Sequence, residues 1–166
     1  MDLGVGASDE RRIDLVVCGF PLYGGLPVFG DATMASPLHA NGQPWARAAD
    51  EDGVALRRTR RKHEQTYPEV VRGDRGRLVV LGCEVCGRWE PAALKILGAL
   101  AATKAREAPS LLRRSVQMAW RRRWLGMLSI AAQTALAESL LRPDGRNRTE
   151  LDGAMPLISE LLGDRH

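Results

Sequence analysis

"RRIDLVVCGFPLYGGLPVFGDATMASPL", residues 11–38, decides the fold. Residues 13–18, IDLVVC, are rich in β-formers and closed by Gly19 and Pro21, so they read as a strand. Leu22 to Gly25 reads as a turn and Leu26 to Met34 as the returning strand, with Gly30 admitting a bulge or close backbone approach just before Asp31. The result is a half-buried hairpin carrying Asp14 and Asp31 on adjacent strands. Ionised carboxylates are costly there unless something pairs with them.

Beyond the hairpin, SPLHANGQPWARAADEDG is dense in turn formers and reads as loop. Val54 to Tyr67 follows as a helix with Leu56, Arg60, His63 and Tyr67 on one stripe. Its basic face is Arg57, Arg58, Arg61 and Lys62, and Pro68 kinks or ends it. After a turn at Gly73 to Gly76, RLVVLGC is a short continuous apolar run, the pattern of a strand buried on both faces. A helix then starts near Pro91, a favourable first-turn residue, and runs to about Ala105. Another, capped by Ser110, runs to about Leu141, where Pro143 and Gly145 stop it. The order predicts an α/β domain: a small mixed sheet of three to four strands flanked by helices. If the Asp31 and Leu78 strands lie parallel, the crossover between them is right-handed. The expected organisation is a disordered edge at 1–10, an α/β core at 11–90, a helical extension packed on it at 91–141, and a flexible tail at 142–166 with one short amphipathic patch, Leu157 to Leu162.

Composition bounds the rest. The 166 residues, 45% of them hydrophobic, suit one core. Lys and Arg number 24 against 20 Asp and Glu, almost all the positive charge being arginine, and the net charge of +4 favours polyanionic partners. Three cysteines, Cys18, Cys83 and Cys86, are too few for a disulfide scaffold and fit a reducing compartment. The start MDLGVGASDERR has no signal-peptide pattern. The uncharged, mostly apolar stretch Trp124 to Ala137 is short for a bilayer and suits a buried helix. The expectation is an intracellular chain, the nucleus included, neither secreted nor in a membrane, of open oligomeric state.

Two carboxylates on neighbouring strands can share a divalent ion. Mg²⁺ suits such a site, being held by one or two carboxylates with water and phosphate oxygens completing its shell. Such an ion polarises a phosphodiester and acidifies a bound water, and a nearby Lys or Arg offsets the charge that develops. "CEVC" at Cys83 and Cys86 lacks the second ligand pair that structural zinc requires. Trp120 and Trp124 share a helix face, more often core than a base-stacking platform.

The segments RRIDLVV, GDATMASPL, RRKHEQTYPEVV and LVVLGCEVCGRW together resemble the PD-(D/E)XK, restriction-endonuclease-like domain found after the reverse transcriptase in non-LTR retroelement-derived proteins. In that pattern Arg-x-Asp precedes apolar residues, Asp-x-Thr is followed by Pro, and a helical Lys stands four or so residues before a Tyr. An apolar strand then leads into a Gly-rich segment. The resemblance covers about residues 11–90, the later helices matching more loosely. It implies Asp14 and Asp31 as Mg²⁺ ligands and Lys62 as the catalytic lysine, with Glu84 adding a ligand or orienting water. One departure is that Thr33 stands where the family's usual lysine follows the second acid by two positions.

The implied function is a metal-dependent DNA endonuclease-like domain of retroelement origin, with DNA, a reverse transcriptase domain or a retroelement ribonucleoprotein as partners. Arg57, Arg58, Arg61, Arg113 and Arg121 are the candidate contacts to nucleic acid. The alternatives are a catalytically inactive nucleic-acid-binding or assembly module, or a decayed retroelement fragment.

Overall fold

A computed structural model describes residues 11–141. Its three strands are β1 (Leu15–Val17), β2 (Val28–Ala35) and β3 (Arg77–Glu84), in the sheet order β1-β2-β3. β1 pairs antiparallel with β2, and β2 pairs parallel with β3 along all eight residues, from Val28 opposite Arg77 to Ala35 opposite Glu84. The helices are α1 (Val54–Thr66), α2 (Pro68–Arg72), α3 (Pro91–Ala105) and α4 (Arg113–Leu141). The mixed α/β architecture expected from the sequence is present, with three strands among the described residues. The segments 1–10 and 142–166, including the Leu157 to Leu162 patch, lie outside the described residues.

Local chemistry sets the boundaries. A short 3₁₀ turn at Tyr23–Gly25 joins β1 to β2. Gly76, just before β3, has no room for a side chain, because a Cβ there would come within 2.9 Å of the Pro27 carbonyl oxygen and strike the Phe29 ring. α1 starts after Gly53 at φ 72° and stops at Tyr67, which leaves helical geometry at φ −121°, ψ 56° because Pro68 follows. Pro68 then opens α2 at its first turn, as Pro91 opens α3.

The sheet is a middle layer. Ile13, Phe29, Tyr67 and Val70 form a buried cluster on the α1/α2 side, and Ala35, Ala55 and Leu56 another beside it. On the opposite face Phe20, Val28 and Val79 are covered by Ala92, Ile96 and Ala99 of α3. The helical extension thus meets the sheet through α3, while α4 packs on α3.

Two readings of the last helix need correction. Its start is not capped by Ser110: the chain passes through a 3₁₀ turn at Ser110–Leu112 whose preceding residue, Pro109, makes no side-chain cap. Nor is it buried, since no residue of α4 is inaccessible, and Met127, Leu128 and Ile130 stand exposed. An apolar run states a preference for burial, but α3 covers only one side of α4. The helical stretch Ser110–Leu141 is long and apolar enough to cross a membrane by length and composition, at a mean hydropathy of 1.2 in its most apolar window, none of it buried.

Candidate functional site

Alternation along the sheet puts Asp31 on the α1 face. Val16 and Phe29 are register partners packed in the α1/α2 cluster, whereas Val17 and Val28 face α3. Two residues further along β2, Asp31 therefore faces α1. Asp14 lies in the bend just before β1, one residue beyond the Leu15–Gly30 pair, and its carboxylate reaches β2 at Ala32, the residue next to Asp31. At that point the ladder changes character. The Ala32 N–H donates to Asp14 Oδ2 at 2.7 Å, a side chain taking the place of a strand carbonyl.

Asp31 is only 8% exposed. Its Oδ2 lies 2.5 Å from His63 Nδ1, which donates when that nitrogen carries the proton. One turn further along α1, the Tyr67 hydroxyl donates to the Arg12 carbonyl at 2.6 Å. The Tyr67 phenol is pushed up to about 12, chiefly by burial and then by the negative charges of Asp31 and Asp14, with a hydrogen bond to Asp31 adding and Arg11 opposing. The Arg11 guanidinium lies 5.7 Å from the Tyr67 ring centre, pairs with Glu69 at 3.0 Å and bonds the Thr66 carbonyl. The constellation is therefore Asp14, Asp31, His63 and Tyr67, braced by Arg11.

Lys62 and Glu84 stand apart from it. Lys62 is exposed and lines a separate cleft on the flank of α1. Glu84 is on the same face of the sheet as Asp31 but opposite Ala35, four register steps beyond Asp31, a separation of roughly 13 Å at about 3.3 Å per residue. Its carboxylate is held by Arg88 at 3.3 Å and accepts from Cys86 Sγ at 3.5 Å. Glu90 lies nearby, paired with Arg60 at 3.0 Å.

His63 and Tyr67 are the site residues that the sequence reading left without a role. The signal was the four-residue spacing: His63, not Lys62, is four positions before Tyr67, where the family pattern places its lysine, and it shares the stripe with Leu56 and Arg60.

The donor chemistry suits a hard cation only in part. Among the described residues no group of three or more His, Cys, Asp or Glu side chains is arranged to hold a metal ion. The aspartates offer two carboxylates, which is enough for Mg²⁺ when water and phosphate supply the other oxygens. Cys83 and Cys86 are free thiols, and burial pushes the Cys83 thiol up, with Cys86 and Glu84 adding to the shift.

The basic residues divide between two sides of the molecule. Arg57, Arg58, Arg61 and Lys62 line a cleft of about 1150 Å³ between α1 and the loop that follows β2. Arg113 and Arg121 are on α4, which packs on α3 over the other face of the sheet. Trp120 and Trp124 stack on each other there, 5.0 Å between ring centres, both half-buried.

Comparison with known proteins gave no matching family model, no matching curated protein and no matching solved structure.

Proposed function

We propose that the chain is a metal-dependent, endonuclease-like domain on a restriction-endonuclease-like frame, of the retroelement type its motifs resemble, hydrolysing DNA phosphodiesters. The observation that carries this reading is the Asp14 carboxylate seated on β2 at Ala32, directly after Asp31. Asp14 and Asp31 would hold Mg²⁺, which when bound polarises the phosphodiester and lowers the pKa of a water. The protein's own groups have separate tasks. The Ala32 N–H fixes Asp14, and His63 fixes Asp31. Tyr67 keeps its proton at neutral pH and so stays a donor between the strand and the carboxylates. The arginines of α1 attract the phosphate backbone without reading sequence.

A second reading, a nucleic-acid-binding or assembly module without catalysis, draws on one observation: among the described residues no ammonium or guanidinium bonds Asp31, and a histidine does so instead. Nicking of supercoiled plasmid in Mg²⁺ separates the two. Hydrolysis predicts nicking that falls on the order of 100-fold or more in Asp31→Asn and in Asp14→Asn, with circular dichroism unchanged. Salt-sensitive DNA retention without nicking by the wild type overturns the hydrolytic reading in favour of the second.

A further inference from the structure

The cleft beside α1 is strongly basic. Arg47, Arg57, Arg58, Arg61 and Lys62 line it, with Glu51 the only acid on its walls. That leaves four positive charges in excess, as many as the whole chain carries net. Such a concavity concentrates the positive field far more than a convex helix face bearing the same residues.

The far wall is built. Trp45 donates from Nε1 to the Ser36 carbonyl at 3.0 Å and packs on the Ala35, Ala55 and Leu56 cluster. His39 lies 3.4 Å from its ring centre, and the Arg58 guanidinium 4.0 Å. A stacked guanidinium keeps its in-plane donors available for an anion. The loop itself is closed by the His39 N–H to Gln43 carbonyl bond at 2.7 Å and by the pairing of Leu38 with Pro44.

Glu51 behaves as a resident anion. One of its carboxylate oxygens accepts from Arg57 Nη2 at 2.8 Å, and the other pairs with Arg47. Two guanidinia thus converge on one acceptor-only group, the arrangement a phosphate would satisfy equally well. The Glu51 side chain is 35% exposed, so these pairs are weak and exchangeable. Among the described residues Arg61 and Lys62 have no side-chain partner to give up.

We propose that this cleft binds a short single-stranded stretch of DNA through its phosphates, and that Glu51 holds the phosphate position in the free protein. The proposal takes from the preceding reading only that the partner is DNA, and it needs no cleavage by the aspartates. The strand is single because Trp45 and His39 in the cleft wall are aromatic surface for unpaired bases, which a duplex keeps stacked inside itself, and the cleft's volume of about 1150 Å³ is larger than the roughly 300–1,000 Å³ of most small-ligand cavities. A cationic groove with aromatic surface along it is the usual setting for such strands.

The test is fluorescence anisotropy of the full chain with fluorescein-labelled dT12 and with the dT12·dA12 duplex, in EDTA, from 50 to 200 mM salt. The wild type binds dT12 at least about fivefold tighter than the duplex. Arg61→Glu with Lys62→Glu weakens dT12 binding about tenfold and flattens the salt slope by about 1.4, at roughly 0.7 per phosphate contact. Lys62→Gln, the milder variant, does so by about half that slope. Glu51→Gln, nearly isosteric, tightens binding about threefold by freeing two guanidinia. A charge-matched control far from the cleft, Arg106→Glu with Arg122→Glu, stays within about twofold. Duplex binding as tight as dT12 binding overturns the proposal, as does indifference to Arg61→Glu/Lys62→Glu or no gain in Glu51→Gln. Asp31→Asn keeps the two readings apart. Retained dT12 binding without any nicking fails only the hydrolytic reading, and nicking without a cleft effect fails only this one.

Discussion

The α1 side of the sheet holds buried acids at two places, and they are balanced differently. At one end, Glu84 and Glu90, each 3% exposed, face Arg88 and Arg60, cations that never lose their charge. At the other, Asp31 meets a histidine, a tyrosine hydroxyl and a second aspartate whose own carboxylate is taken up by a backbone N–H. The first arrangement is neutralised by permanent charge and acts as an internal brace between α1, β3 and the loop before α3. The second holds Asp31 through a histidine and a tyrosine hydroxyl, groups that carry no permanent charge. The difference is why the proposed function is set on Asp31 and its neighbour Asp14 and not on Glu84.

Breaking the brace has the largest consequence. Arg60→Ala leaves Glu90 buried without its partner and costs about 3 kcal/mol in denaturant unfolding. Arg60→Met with Glu90→Leu regains most of that loss, since neither charge remains to be desolvated. At the aspartate end, Tyr67→Phe removes the donor to the Arg12 carbonyl and costs about 1–2 kcal/mol. The same substitution has a pH signature. The folded phenol titrates near 12 rather than 10.0, so it binds its proton more tightly folded than unfolded. The stability it lends is complete below pH 10 and is lost between pH 10 and 12. Thermal melts across that window show a fall in the wild type that is absent in Tyr67→Phe. The smallest effect is at the rim: Asp52 meets Arg88 at 2.6 Å with its side chain 90% exposed, and Asp52→Asn shifts stability by less than about 0.5 kcal/mol.

Much of this was legible in the chain. The continuous apolar run at Leu78 to Cys83 lies within β3 between two helical layers, and the stripe Leu56, Arg60, His63, Tyr67 is the face α1 turns to the sheet. The parallel pairing of β2 with β3 met the condition set for the crossover. β1 is shorter than IDLVVC suggested because Asp14 spends its carboxylate on the Ala32 N–H and so ends the backbone ladder. The role of His63 was hidden for a different reason. Lys62 and His63 are adjacent in sequence yet about 100° apart around a helix, and only the packed structure shows which of the two meets Asp31. The exposure of α4 was illegible because hydrophobicity is a property of the segment, while burial depends on what packs beside it.

That exposure has a chemical consequence. Met118 and Met127 on α4 are 51% and 58% exposed, whereas Met34 at the cleft is half-buried. Dilute peroxide would therefore convert the first two thioethers to sulfoxides ahead of the third, and the order in which 16-Da increments appear on the peptides becomes a footprint of anything that covers the helix.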